Sequence, residues 1–289
     1  MTTVIADSGS TKTDWRIIID AKEITAFSTI GFNPVLTNTK LIINELTPFF
    51  TNNSLNESIE KVYYYGAGCW NVESCSIVQA ALSVFFTNAD IQVTNDLLGA
   101  ARAVCGNQAG IACILGTGSN SCLYDGQKII DNIPALGYIM GDEGSGAYLG
   151  KQLLQSYFYR ALPKEIAEQL TTEYDISKKI LLEKIYQHKG GNKYLASFAK
   201  FIMAHKKHPF IKTMLADSFD IFINKQLLKY DNATDFPIHF IGSIAYFSTE
   251  ILREVLENNG LQLGKIIRQP IEGLVEFHSK NIHLQQKDE

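Results

Sequence analysis

The sequence predicts an α/β protein built from two related domains. Its 289 residues are comfortable for two domains and long for a single hydrophobic core. A strand, a loop of Gly, Ser and Thr, and a second strand occupy residues 4–20, and a similar hairpin returns at residues 111–124. Such an echo, roughly a hundred residues later, is typical of two copies of one supersecondary unit.

Residues 1–108 are predicted to run β-β-β-α-β-α-β-α. The opening pair of strands is a hairpin, which differs from the strand-to-helix unit of a Rossmann fold. Asn38 is a suitable N-cap for the first helix. The predicted strands are 4–7, 15–20, 23–29, 61–65 and 91–94, and the predicted helices are 39–50, 73–86 and 97–104.

After the second hairpin, residues 143–230 are predicted to be almost wholly helical, with a break at 190–191. Amphipathic periodicity supports helices at 166–174, 180–188 and 210–230. A strand at 238–241 and a helix at 249–258 follow. A last helix is predicted to begin at Leu274.

Composition and charge exclude several classes of protein. Hydrophobic residues make up 46% and charged residues 19% of the chain, which excludes disordered, collagen-like and coiled-coil proteins. The net charge of −4 does not indicate a basic surface for nucleic-acid binding, and no apolar run approaches the length of a membrane span. Since the N-terminal residues also lack a signal-peptide pattern, we expect a cytoplasmic protein that binds neither nucleic acid nor membrane.

The cysteines and histidines show no metal-binding spacing. The five cysteines form no CxxC pair and are odd in number, so we expect small buried hydrophobes rather than disulfides, zinc or iron–sulfur ligands. The six histidines include no HExxH pattern and are assigned no role.

Two loops have the composition of phosphate-binding turns. The first glycine loop, residues 9–13, offers backbone N–H groups, hydroxyls and the charge of Lys12, but does not match a Walker A motif. The second glycine loop, residues 116–120, has two glycines that allow close backbone approach. Taken alone, the first loop is better explained as a polar hairpin turn, and the second is weak evidence as well. Their recurrence in a repeated hairpin favours a shared role in binding a triphosphate.

Acidic residues occur at the ends of two predicted strands and at the start of a predicted helix. Asp7 ends the first strand, where it is either a Mg²⁺ ligand or a turn residue. Asp96 is either a helix N-cap, the favoured interpretation of an isolated Asn-Asp, or a functional carboxylate. The acidic loop, residues 141–146, places two acids and three glycines where a helix begins. Acids suit a first helical turn, but three glycines are not needed there, which favours function.

Five motifs in this order resemble the BadF/BadG/BcrA/BcrD-type ATPases, and most closely the N-acetylglucosamine kinases of the actin/hexokinase/Hsp70 superfamily. The resemblance spans essentially the whole chain. The motifs are Asp7-Ser-Gly-Ser-Thr-Lys-Thr-Asp14, Asn95-Asp96, Leu115-Gly-Thr-Gly-Ser-Asn120, Met140-Gly-Asp-Glu-Gly-Ser-Gly146 and Phe240-Ile-Gly-Ser-Ile-Ala245.

The resemblance implies two ribonuclease-H-like domains around a nucleotide cleft. The first would comprise residues 1–108 with the C-terminal helix 273–289, and the second residues 109–272 with a helical insertion. It further implies ATP and Mg²⁺ as cofactors and a homodimer as the assembly.

By the same resemblance, each motif has a role. Asp96 would be the catalytic base and also contact the sugar, and Asp7 would bind the metal. ATP would be bound by Gly9, Ser10, Thr11, Lys12, Thr13, Gly116, Thr117, Gly118, Ser119, Gly242, Ser243 and Ala245. The sugar would be bound by Asn33, Thr117, Asn120, Asp142 and Gly146.

The implied reaction is phosphorylation of the 6-hydroxyl of N-acetylglucosamine or a related amino sugar. The family often has Gly-Trp-Gly where this chain has Leu136-Gly137-Tyr138, which leaves the exact amino sugar open. Two alternatives share the phosphate loops: an ATPase activator of a 2-hydroxyacyl-CoA dehydratase, which would need a cysteine-bound cluster, and a non-catalytic sugar or nucleotide sensor.

Overall fold

The computed structural model describes residues 1–9, 11–35, 37–51, 56–187 and 190–285. The chain divides into two compact units, each built on its own five-stranded sheet. The first unit contains Met1–Gln108, Asp125–Ile129 and the C-terminal segment from Gln269. The second contains Ala109–Tyr124 and Ile130–Arg268.

The first sheet has the strand order β3-β2-β1-β4-β5. Strands β1, β2 and β3 are antiparallel neighbours, whereas β4 and β5 run parallel to β1. Parallel strands end at the same edge of a sheet, so the residues that follow β1, β4 and β5 come together there. The strands are β1 (Thr2–Ser8), β2 (Lys12–Ile19), β3 (Lys22–Ile30), β4 (Ile59–Gly66) and β5 (Asp90–Asn95).

The second sheet repeats the plan with the order β10-β9-β6-β7-β8. Its hairpin pairs β6 with β7 in antiparallel register, and β9 runs parallel to β6. The strands are β6 (Gly110–Leu115), β7 (Ser119–Tyr124), β8 (Ile129–Asp131), β9 (Ile238–Ile241) and β10 (Leu263–Ile267).

The α-helices follow in chain order. They are α1 (Thr39–Phe50), α2 (Val72–Leu82), α3 (Asp96–Cys105), α4 (Gly137–Met140), α5 (Gly146–Phe158), α6 (Lys164–Glu173), α7 (Lys178–Leu182), α8 (Gly191–Ser197), α9 (Ala199–Ala204), α10 (Pro209–Lys225), α11 (Ser243–Phe247), α12 (Thr249–Asn258) and α13 (Ile271–Gln285). A π-helical turn, Glu183–Gln187, follows α7, and 3₁₀ turns occur at Asn56–Ser58, Leu227–Lys229 and Ala233–Asp235. Of the helices in the described part of the chain, none is long and apolar enough to cross a membrane.

Strands β1 and β4 bury side chains on both faces of the first sheet. Val4, Ala6 and Tyr64 pack in the cluster that includes residues of α1 and α2. Ile5 and Tyr65 point to the opposite face, where they pack against α13. Helix α3 also lies against α13.

The α/β class and the β-β-β-α-β-α-β-α order of the first hundred residues are confirmed. Several details differ. Helix α2 ends at Leu82, not at residue 86, and the helix predicted at 180–188 changes to a π-helical turn after Leu182. Strand β10 was not predicted, and the last helix begins three residues earlier than predicted, at Ile271.

Candidate active site

Asp96 is the first residue of α3, directly after β5. The N-cap is Asn95, whose side-chain oxygen accepts a hydrogen bond from the Leu98 amide at 2.7 Å. The favoured interpretation of Asp96 as the cap is therefore wrong. Because Asn95 caps the helix, the Asp96 carboxyl is available for chemistry.

Asp96 and Asp7 both have raised pKa values, and the charge of Asp96 contributes to the shift at Asp7. Burial raises the pKa of Asp96 to about 6, against the opposing effect of the backbone N–H groups of Leu97 and Asp96 itself. Burial raises the pKa of Asp7 to about 8, and the charges of Asp96 and Asp14 raise it further. Lys12 acts in the opposite direction. Carboxylates with raised pKa values at the edge of a sheet are typical of a functional site.

The residues around Asp7 fit a partly hydrated Mg²⁺ ion. No group of three or more His, Cys, Asp or Glu side chains in the described ranges forms a complete metal site. Mg²⁺ characteristically retains several waters and uses one or two carboxylates together with substrate phosphates. A cation beside Asp7 would also relieve the repulsion from Asp96 that raises its pKa.

The first glycine loop is a tight turn in which the Gly9 amide donates to the Lys12 carbonyl at 3.0 Å. Gly9, Thr11 and Lys12 are exposed, and the Lys12 ammonium contacts the Asp14 carboxylate at 2.6 Å. Ser10 lies outside the described residues.

Buried hydroxyls support this loop from behind. The Thr13 hydroxyl donates to the Ile30 carbonyl at 3.0 Å, so Ser8 donates to Thr13 at 2.7 Å. The Ser8 oxygen in turn accepts from the Phe32 amide at 3.1 Å. Thr13 is fully buried, and its hydroxyl proton is committed within the protein. This relay holds the segment before Asn33 against the end of β1.

Asn33 lies against Gly68, which is in the turn after β4. The Asn33 side-chain oxygen accepts from the Val35 amide at 3.0 Å. Gly68 has φ +85°, and a Cβ there would overlap the Asn33 carboxamide. Gly68 therefore bounds the Asn33 side chain on one side.

The second glycine loop is joined to the N-terminus of α5. The Gly146 amide donates to the Gly116 carbonyl at 2.8 Å, and the Ala147 amide donates to the Thr117 carbonyl at 3.1 Å. Nothing lies within 4 Å of the position of a Cβ on Gly116, so the space beside it is open. The neighbouring Asn120 side-chain oxygen accepts from the Ser121 amide and from Asn132.

Asp142 connects the acidic loop to the second glycine loop. Its carboxylate accepts from the Ser119 amide at 3.4 Å, and a Cβ on Gly118 would lie 3.0 Å from it. Asp142 has φ +57°, a left-handed conformation uncommon outside glycine. Burial raises the pKa of Asp142, and the negative charge of Glu143 adds to this effect, against hydrogen bonding from Ser119.

Glu143 is a supporting residue that the sequence did not reveal. It is buried, and its carboxylate contacts the Lys225 ammonium on α10 at 2.7 Å. Next to it, the Gly144 amide donates to the Ser218 hydroxyl at 3.2 Å. Partners about 75 residues or more away along the chain fix this loop, and no local pattern could identify them.

Gly242 brings the third motif of the second unit to the same place. Its φ is +118°, and a Cβ would overlap the Leu115 carbonyl, directly before the second glycine loop. Ser243 begins α11 and is exposed, whereas the Ala245 side chain is fully buried. The structure thus brings the loops at 116–120, 141–146 and 242–245 together within one unit, as it brings Asp7 and Asp96 together in the other.

Solved structures share this fold over their full length. A candidate N-acetylglucosamine kinase from Chromobacterium violaceum is 16% identical with a TM-score of 0.67, covering 96% of this chain and 98% of that one. A ROK-family glucokinase from Streptomyces griseus, in complex with glucose and AMPPNP, is 15% identical with a TM-score of 0.59, and the coverage is again 96% and 98%. No protein-family model matches the chain, and no curated protein does.

A much closer match comes from Porphyromonas gingivalis. This protein, described as a candidate N-acetylglucosamine kinase, is 41% identical with a TM-score of 0.91, and the match covers 96% of this chain and 99% of that one. Such identity over nearly the whole length is well beyond a shared fold. The chain therefore belongs to the same family as the Porphyromonas gingivalis protein, within the sugar kinases of the actin/hexokinase/Hsp70 superfamily.

Proposed function

We propose that this protein is an ATP-dependent kinase that phosphorylates the 6-hydroxyl of N-acetylglucosamine or a related amino sugar. The observation that carries the proposal is the position of Asp96 at the start of α3. Asn95 caps this helix in place of Asp96, and the charge of Asp96 raises the pKa of Asp7. Membership of the family of the Porphyromonas gingivalis protein supports an amino sugar as the acceptor. The AMPPNP bound to the Streptomyces griseus glucokinase supports ATP as the donor.

Asp96 is the base in this proposal. The sugar hydroxyl oxygen forms a bond to the γ-phosphorus, the bond to the β–γ bridging oxygen breaks, and ADP leaves. The hydroxyl proton passes to the Asp96 carboxylate. A pKa of about 6 keeps Asp96 mostly ionised at pH 7 yet more basic than an ordinary aspartate, which suits proton acceptance.

The two glycine loops bind the phosphates in this proposal. Exposed backbone at Gly9 and Thr11, and the open space beside Gly116, suit close approach of phosphate oxygens. Thr117, Gly118 and Ser119 continue the second of these loops. Mg²⁺, when bound beside Asp7, supplies positive charge to the phosphates.

The sugar is bound by side chains that the structure fixes from behind. Asn33 is backed by Gly68, and Asp142 by Gly118 and the Ser119 amide. Such fixed polar groups orient a hydroxyl for in-line attack with little loss of side-chain freedom on binding. Gly242 and Ser243 are proposed to lie at the adenosine, and Ala245 to act through packing because it is buried.

The alternative of a dehydratase activator is weakened by the burial of the cysteines. Cys113 and Cys122 are fully buried in β6 and β7, where they cannot reach a cluster shared between subunits. A cytoplasmic location stays a prediction from the sequence, and a homodimer stays a prediction from the family resemblance.

The test is a panel of sugars incubated with Mg-ATP. We expect ADP release that depends on an amino sugar, with a 6-phosphorylated product identified by NMR. Asp96→Asn is expected to lose roughly 10²–10⁴-fold in kcat. Asp90→Asn, an exposed aspartate at the start of β5, is the matched control and should retain full activity. No sugar-dependent ADP release, or an undiminished Asp96→Asn, would contradict the proposal.

A further inference from the structure

Tyr65 lies near the end of β4, between β1, which carries Asp7, and β5, which directly precedes Asp96. In parallel register it lies opposite Asp7 of β1 on one side and Thr94 of β5 on the other. Its side chain is 1% exposed and packs in the cluster with residues of α13. No part of the proposed chemistry uses this residue.

The Tyr65 hydroxyl links α3 to α13 through two hydrogen bonds. The Arg102 guanidinium on α3 donates to the hydroxyl oxygen at 2.8 Å. The same oxygen lies 2.8 Å from His278 Nε2 on α13. Since arginine can only donate, Tyr65 directs its own proton to His278, which accepts as a neutral imidazole. Burial lowers the pKa of His278 to about 3, and the positive charges of Arg102 and Lys61 act in the same direction.

The Tyr65 ring also limits how close α3 can approach the sheet. A Cβ on Gly99 would lie 2.8 Å from the Tyr65 Cβ and Cγ, so the helix rests on this ring. Gly99 is three residues after Asp96, which is about one helical turn. On the other side, a Cβ on Gly273 of α13 would lie 2.5 Å from the Ala103 carbonyl, so α13 packs tightly on α3.

His278 is itself held in place. Its ring stacks on Tyr63 with centroids 3.8 Å apart and planes inclined by 21°. Arg102 likewise lies over the Phe277 ring, 5.4 Å from its centroid. Both partners of the Tyr65 hydroxyl are therefore fixed by aromatic packing as well as by the hydrogen bonds.

We propose that Tyr65, held by Arg102 and His278, is a positioning residue that sets the placement of α3 and thereby of the Asp96 carboxylate. This inference rests on the proposed kinase function. In this proposal Tyr65 acts through the helix that it supports. Misplacement of a reacting group by about 1 Å can cost on the order of 100-fold in rate.

Three conservative substitutions test the role of the hydroxyl. Tyr65→Phe keeps the ring under Gly99 and removes the hydroxyl. His278→Phe keeps a ring stacked on Tyr63 and removes the acceptor, whereas His278→Gln offers a carbonyl oxygen in its place. The control is Phe86→Leu, a core change in the cluster on the opposite face of the sheet, which lowers stability without touching α3.

We expect kcat to fall about tenfold in Tyr65→Phe and His278→Phe, with the KM values for sugar and ATP within twofold of the wild type. His278→Gln should recover at least half of the wild-type kcat, and Phe86→Leu should lose thermal stability with kcat unchanged. A kcat retained by both phenylalanine variants, or reduced equally by His278→Gln and His278→Phe, would overturn the inference.

A failure of the kinase proposal gives a different result. If the wild type phosphorylates no sugar, the same variants are compared by hydrogen–deuterium exchange over residues 96–105. Faster exchange there in both phenylalanine variants, but not in His278→Gln or Phe86→Leu, still supports the placement of α3 by Tyr65. Equal exchange rates in all variants would refute it.

Discussion

Replacing Asp7 with asparagine is expected to stabilise the metal-free protein at alkaline pH while impairing its reaction with Mg-ATP. In the folded chain, burial and the nearby Asp96 and Asp14 raise the pKa of Asp7 from 3.8 to about 8. Ionising this carboxyl therefore favours the unfolded state, where water surrounds it. The asparagine side chain has nearly the same shape and carries no charge.

The sign and size of the effect follow from proton linkage. Because the folded pKa is raised, the stability that protonated Asp7 contributes is complete below about pH 4 and is lost as the pH rises through about 8. At roughly 1.4 kcal/mol per pKa unit, the rise in the Asp7 pKa corresponds to about 6 kcal/mol of folding free energy. Water screens the half-buried carboxyl, so we expect about 2 kcal/mol in practice. For a chain of this size that is a rise of about 4–8 °C in melting temperature.

The assay is thermal unfolding in EDTA at pH 4, 5, 6, 7 and 8. The advantage of Asp7→Asn over the wild type should be smallest at pH 4 and largest at pH 8. Asp231→Asn, which changes an exposed aspartate, is the control and should match the wild type throughout. Equal stability of Asp7→Asn and the wild type at pH 8, or a gap that shrinks as the pH rises, would refute the reasoning.

Three further results are expected. The kcat/KM for sugar phosphorylation, measured against pH, should fall tenfold per pH unit below about pH 6. Burial raises the pKa of Asp96 to about 6, and only the ionised carboxylate accepts a proton. Gly68→Ala should raise the KM for the sugar about tenfold, since a Cβ displaces Asn33, a change checked by steady-state kinetics. Lys225→Met should lower the free energy of unfolding in urea by about 2 kcal/mol, because it leaves the buried Glu143 carboxylate unpaired.

Two of these results have a control variant, and the pH profile has an outcome that would contradict it. Gly260 also has a positive φ, +69°, but open space around it, so Gly260→Ala tests backbone strain alone. An equal rise in sugar KM in both alanine variants would show that Asn33 is not the cause. The double variant Glu143→Gln/Lys225→Met should recover stability, and no recovery would contradict the buried-charge argument. A fall in kcat/KM that begins only near pH 4 would contradict the role of Asp96 as the base.

The sequence predicts most elements of the first unit because its strands and helices have strong local patterns. The order of the first hundred residues is confirmed, and the N-cap at Asn38 is present. Strand β10 escaped prediction because its short segment becomes a strand only beside β9, some 25 residues earlier in the chain. Pairing between distant segments leaves no local periodicity to read.

The candidate site shows the same division between local and distant information. The composition of the loops and the order of the motifs predict the glycine loops and Asp96 as site residues. They do not show which side chain caps α3. Gly68 and Glu143 have roles that depend on Asn33 and Lys225, far away in the sequence. Their significance lies in packing and burial, which a single sequence does not display.

The division of labour between Asn95 and Asp96 has a practical consequence. Since the cap is a separate side chain, the carboxylate can be neutralised without unwinding the helix that carries it. Asp96→Asn is thus suited to be a trapping variant, folded like the wild type and able to hold donor and acceptor together while turnover is suppressed. Crystals of that variant grown with Mg-ATP and a sugar would display both substrates before reaction.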